Sequence, residues 1–127
     1  MIVCDTDILI ESFKNNQEII TSLRSVGFEN IALSSITVME LYFGAFNKSE
    51  LQQIKKHLQL LKTIPVNEQI SYKAIDLIEQ YAKSHNLKIP DSLIAATAIY
   101  NNFELMTINT KDFRYIEGLV LYCGKEA

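Results

Sequence analysis

Short apolar runs of strand length recur along this chain, each followed by a stretch with helical periodicity, and that alternation limits the fold more than any other feature. Ile2-Val3-Cys4 is the first run, and a helix is expected from Asp7 onward. Residues 17–26 form a second helix closed by Gly27, before a strand at 30–33. Ser34 or Ser35 caps a strongly apolar helix to about Phe46, because a serine oxygen accepts from first-turn amides. Leu51, Ile54, Leu58 and Leu61 then recur at helical spacing opposite a polar face. A strand at 63–66 leads into a long helix over 68–85, with Ala74, Ile75, Ile78, Tyr81 and Ala82 as its stripe and Asn86 at its end. Pro90 and Asp91 open a helix to about Asn101. A strand at 105–107, a helical turn at 111–115 and a last strand at 119–123 complete the chain.

Strands that alternate with helices in this way indicate an α/β fold with a parallel sheet covered on both faces. The functional crevice of such an open sheet lies beyond the carboxyl ends of its strands, which directs attention to the residues just after each strand. A chain of 127 residues closes one sizeable core, so a two-domain enzyme is excluded and residues 1–127 are expected to form one domain. With 48% hydrophobic residues, four Gly and two Pro, the composition is that of a packed globule. No apolar run approaches the roughly 20 residues of a membrane span, and no secretory signal is readable, so a cytoplasmic protein is expected. Cys4 and Cys123 lie in apolar strand-like segments and are expected to be buried reduced thiols.

Four acids stand where a packed core would not want them. Asp5 ends the first strand, and capping of the first helix by Asp5 or Asp7 is the plain alternative to a functional role. Glu40 is surrounded by Ile36, Val38, Met39, Leu41, Tyr42, Phe43, Ala45 and Phe46, which suggests a helix buried all round. A carboxylate there is costly unless it is paired or bound to a metal. Asp91 heads another apolar helix, where it can serve the helix dipole, and Asp112 lies just beyond a strand, where it can cap a turn. Converging on one crevice, these acids would repel one another unless a hard cation sat among them, and an all-oxygen donor set suits Mg²⁺ or Mn²⁺. His57 and His85 have no Cys or His at ligand spacing and are expected to be solvated, which disfavours zinc.

The net charge of −3 disfavours a nucleic-acid partner only superficially, because setting the four acids aside leaves a balance of +1. Lys14, Lys48, Lys55, Lys56, Lys111 and Arg114 are candidates for phosphate-backbone contacts.

Taken in order, the segments Val3-Cys4-Asp5-Thr6-Asp7, Ser34 through Ala45 with Glu40, Ile89-Pro90-Asp91-Ser92-Leu93-Ile94-Ala95-Ala96 and Thr107-Ile108-Asn109-Thr110-Lys111-Asp112-Phe113 resemble the motifs of PIN-domain ribonucleases, most closely the VapC-type toxins of toxin–antitoxin modules. The resemblance spans almost the whole chain. It implies a three-layer sandwich with a five-stranded parallel sheet, and a metal-dependent endoribonuclease acting on RNA such as tRNA. By the same resemblance Asp5, Glu40 and Asp91 form the acidic metal site. Many PIN domains have an aspartate where this chain has Asn109, and Asp112 matches a second acidic position, so either Asn109 or Asp112 completes the set. Thr6 and Thr107 match hydroxyl positions that support the acids or contact phosphate. A small antitoxin that inserts a basic side chain into the crevice and a homodimer are the implied partners.

Two other classes compete. An apolar strand ending in Asp5-Thr6-Asp7 also resembles the nucleophile motif of haloacid-dehalogenase-type phosphohydrolases, although Leu9 stands where that family has Thr or Val and its later Asp-Asp pair is missing. A binding module is the other, either a catalytically inactive PIN fold or a receiver domain. The receiver lacks its central strand-end aspartate in this chain.

Overall fold

The computed structural model describes residues 1–123. Four strands, β1 (Ile2–Cys4), β2 (Ile31–Ser34), β3 (Lys62–Ile64) and β4 (Glu104–Met106), form one sheet in the order β3-β2-β1-β4. All three pairings are parallel. Six helices connect them: α1 (Thr6–Phe13), α2 (Gln17–Val26), α3 (Ser35–Phe43), α4 (Lys48–Leu58), α5 (Glu68–His85) and α6 (Ile89–Asn101). The expected fifth strand is reduced to one parallel bridge between Leu105 and Leu121. Leu105 N–H donates to Val120 O at 2.9 Å and Tyr122 N–H to Leu105 O at 2.8 Å, which gives strand-like register too short for a ladder.

Alternation along each strand divides the core between the two faces. Val3, Ala32, Ile64 and Leu105 point to one side, where α5 and α6 contribute Ile70, Ala74, Leu77, Ile94 and Ala98. Cys4, Ile31, Leu33 and Met106 point to the other and meet Ile8, Leu9, Leu23, Leu41, Ile54 and Leu58 of α1 to α4. The chain moves outward from β1 to β2 to β3, then crosses back to place β4 on the other side of β1. The switch in strand order therefore lies between β1 and β4, where a crevice opens beyond the carboxyl ends.

Several expectations need correction. Helix α3 ends at Phe43 with Gly44 as its C-cap, and Asn47 caps α4 by accepting from Glu50 N–H. Helix α3 is not buried all round: only Thr37 and Leu41 are fully inside, Met39 is 55% and Phe43 93% exposed, and Phe46 beyond its end is 88% exposed. Apolar composition does not guarantee burial. The buried stripe of α5 is Ile70, Ala74 and Leu77, one helical face, whereas Ile75 falls off that face and is exposed. Cys4 is buried as expected, and burial followed by the nearby Asp5 charge pushes its thiol up to about 12. Cys123 is exposed, because the segment that carries it makes only the one bridge at Leu121.

Helices α5 and α6 end on Asn86 and Asn102, both left-handed at φ 58°. Asparagine tolerates that conformation and a β-carbon without a local hydrogen-bonding amide does so poorly. Asn102→Ala is expected to lower stability by about 1 kcal/mol, seen as a lower urea midpoint with an unchanged slope.

Candidate active site

The site is built at the strand ends on either side of the switch point. Asp5 directly follows β1 and is the N-cap of α1, its carboxylate accepting from Thr6 N–H at 2.7 Å. Capping and a place in the crevice are thus the same position. Asp5 N–H donates to Met106 O at 2.9 Å, which ties the end of β1 to the end of β4. Thr107, the residue after β4, donates its hydroxyl to Asp5 Oδ2 at 2.9 Å, and that hydroxyl accepts from Asn109 N–H at 3.0 Å. Both Asp5 oxygens are held.

Glu40 projects from α3 toward the same point and is half-buried. The Thr6 hydroxyl donates to Glu40 Oε1 at 2.7 Å and lies 3.0 Å from the Thr37 hydroxyl, whose proton completes the chain of donors. No lysine or arginine pairs with it: among the described residues the ion pairs are Lys14–Glu11 and Lys73–Asp76. Asp91 stands in the first turn of α6, and Asp112 ends the single helical turn after β4 (Thr110–Asp112).

Asp5, Glu40, Asp91 and Asp112 line one crevice of about 260 Å³ together with Asp7, Thr6 and Asn109. Thr107 stands behind Asp5 and is not part of the lining. Asp7 is a residue that sequence reasoning assigned only to helix capping. Its position in the first turn of α1, two residues after Asp5, is the signal that would have found it, because that turn faces the crevice. The Asn109 side-chain amide donates to the Asp7 carboxylate. Asn109 and Asp112 both line the crevice.

No cation lines this space, and the carboxylates act on one another. Burial is the largest influence on Asp5; the Thr107 and Thr6 hydrogen bonds oppose it, and the charges of Asp7 and Glu40 add to it, for a pKa of about 6. Asp91 is also pushed up to about 6, first by burial and then by Asp5, Asp112, Glu40 and Asp7. The acids converge on a crevice and not yet on a point. Among the described residues no three His, Cys, Asp or Glu side chains share ligating distance in this arrangement. The donor set nonetheless suits a hard divalent cation, since its carboxylates are all-oxygen donors with no lysine or arginine in the lining and two of them are partly desolvated.

An open parallel α/β sheet with an acidic crevice at its switch point defines the class of protein. The chain belongs to the PIN domain family, whose model matches residues 2–119. It is 31% identical to the ribonuclease VapC10 of Mycobacterium tuberculosis over 94% of this chain and 90% of that protein. Among solved structures it resembles a toxin–antitoxin complex from Klebsiella pneumoniae, with a TM-score of 0.81, 33% identity and coverage of 94% of this chain and 96% of that one. VapBC-1 from nontypeable Haemophilus influenzae matches with a TM-score of 0.81 at 29% identity, over 96% and 97% of the two chains.

Proposed function

We propose that this chain, residues 1–127 as one nuclease domain, is the toxin of a toxin–antitoxin pair and a cytoplasmic endoribonuclease that hydrolyses RNA phosphodiesters with Mg²⁺ or Mn²⁺. The observation that carries this reading is the cluster of uncompensated carboxylates at the switch point, two of them held well above the ordinary range. Asp5, Glu40, Asp91 and Asp112 would hold the ion, which supplies an acidified water and offsets charge on the phosphoryl oxygens. Thr107 and the Thr6 amide fix the rotamer of Asp5, and the Thr6 hydroxyl fixes that of Glu40. Fixed ligands reduce the reorganisation that binding would otherwise require. Asn109 orients Asp7 at the rim. No side-chain nucleophile is required, so Asp5 is not phosphorylated in this reading.

The partner finds a place as well. A larger groove of about 920 Å³ runs between α1, α2 and α4, with Leu9, Phe13, Leu23 and Ile54 in its wall. It shares Ile10 and Glu40 with the acidic crevice. An antitoxin segment lying in the groove by its apolar side chains would deliver a basic side chain to the acids and mask them. The homodimer implied by the family resemblance is part of the same proposal.

Incubation of the purified chain with total tRNA, with Mg²⁺ or Mn²⁺ and with or without chelator, tests the function, with an aryl phosphate monoester alongside. Endonucleolytic fragments that vanish with chelator are expected. Turnover of the phosphate ester without RNA cleavage would replace this reading with the phosphohydrolase one.

A further inference from the structure

The acidic crevice is dominated by carboxylates, which suit a metal ion and the phosphate it would carry rather than a base. An aromatic cluster is carried by the chain segments that adjoin two of its acids, with Tyr115 two residues beyond the crevice residue Phe113. His85, at the last turn of α5, stacks on Tyr115 with ring centroids 4.1 Å apart and planes 12° from parallel. Tyr81, one turn earlier on α5, meets Tyr115 edge-on at 5.1 Å and His85 at 5.7 Å. The three separations close a compact triangle, so Tyr81 lies on the same side of the imidazole plane as Tyr115. His85 is exposed, and both of its aromatic neighbours lie on one face of the ring. The cluster is anchored: Glu117 N–H donates to the Tyr81 hydroxyl at 3.1 Å, and the Ser84 hydroxyl lies 2.7 Å from His85 Nδ1.

Its place in the fold is next to the acids on both strands of chain that build it. His85 leads through a short loop to Asp91, and Tyr115 follows Asp112 by a single turn. The Tyr115 phenol is raised above its ordinary value by burial and then by the charges of Asp91 and Asp112, which places it within their field. Lys83, Lys88, Lys111 and Arg114 lie exposed on the same segments, outside the two ion pairs found among the described residues.

Unpaired RNA bases stack on aromatic faces while neighbouring cations track the backbone, and both features are present here on segments that adjoin the acids. We propose that His85, backed by Tyr115 and Tyr81, is a stacking platform for an unpaired base of the RNA next to the cleaved phosphate. The proposal rests on the ribonuclease reading above. His85 is a positioning residue in it, since it touches a base and not the reacting atoms.

The test uses a short single-stranded RNA of mixed sequence and the same backbone carrying abasic sites. Cleavage by the full chain is followed with Mn²⁺, and binding is followed by fluorescence anisotropy with chelator present. For His85→Ala, KM and Kd for the intact RNA are expected to rise about tenfold with kcat changed less than twofold. His85→Phe, which keeps a stacking face, is expected to restore both. Abasic RNA is expected to bind wild type and His85→Ala alike. Unchanged KM and Kd in His85→Ala, or equal losses for intact and abasic RNA, would overturn the platform, and a cluster serving a protein contact would give the first of these results. Absence of metal-dependent cleavage by wild type would instead overturn the ribonuclease reading, while the anisotropy arm still decides the platform.

Discussion

Asp5→Asn is expected to lower Mg²⁺- or Mn²⁺-dependent RNA cleavage by at least about a thousandfold, because the ion supplies several kcal/mol of transition-state stabilisation and each ~1.4 kcal/mol is tenfold in rate. The substitution removes one negative charge and almost no volume. Asparagine is as good an N-cap as aspartate, so the bond from Thr6 N–H to the side-chain oxygen survives. The amide can donate to the Thr107 hydroxyl, whose bond to Asp5 Oδ2 is the other contact of this side chain. The fold should therefore be retained, and relief of repulsion from Asp7 and Glu40 should make the metal-free variant at least as stable as wild type near neutral pH. Steady-state cleavage assays beside thermal denaturation with chelator check both halves. Full activity would remove Asp5 from the site, and a large fall in melting temperature would show that its role is architectural.

The same combination of roles explains what could be recognised in the sequence. The strand and helix pattern was legible because each element is amphipathic or apolar at its own period, and the acids were legible because each follows a strand or interrupts an apolar helix. Glu40 lines the crevice, although the all-round burial that draws attention to it is absent. Its neighbours Met39, Phe43 and Phe46 are exposed, and an apolar sequence does not by itself say which of its side chains a fold covers. Asp7 was missed because one residue, Asp5, satisfies the helix cap, which leaves the next acid of that turn free to face the crevice with Asn109 as its partner. Cys123 was misplaced because hydrophobic patterning does not report whether a neighbouring strand is long enough to pair with it. The Tyr81–His85–Tyr115 cluster joins two segments about thirty residues apart, and no local periodicity encodes such a meeting.

Metal-free protein is expected to become more stable as the pH is lowered from 7.5 to 5, opposite to the usual acid response of paired carboxylates. Asp5 and Asp91 sit at about 6 in the folded chain, against an unfolded aspartate value of about 3.9. Above pH 6 both states are ionised and the folded state bears the full repulsion and desolvation. Between about 6 and 4 the folded state binds protons that the unfolded state does not, so stability rises as pH falls; below about 4 both states are protonated and the gain ends. For Asp5, 5% exposed, the change from pH 7.5 to 5 is about 1–2 kcal/mol, and the half-buried Asp91 adds less because solvent screens it. These carboxylates titrate as a coupled set, so a broad transition is expected rather than two steps. A divalent ion reverses the sign. Mg²⁺ or Mn²⁺ at a hundredfold excess over its Kd would stabilise the folded state by about 2.7 kcal/mol at neutral pH, and protons would then compete with it as the pH falls. Urea denaturation at several pH values, with chelator and with Mn²⁺, measures both curves. Curves that run parallel would mean that the ion binds elsewhere, whereas Asp5→Asn should flatten the chelator curve and remove most of the response to Mn²⁺.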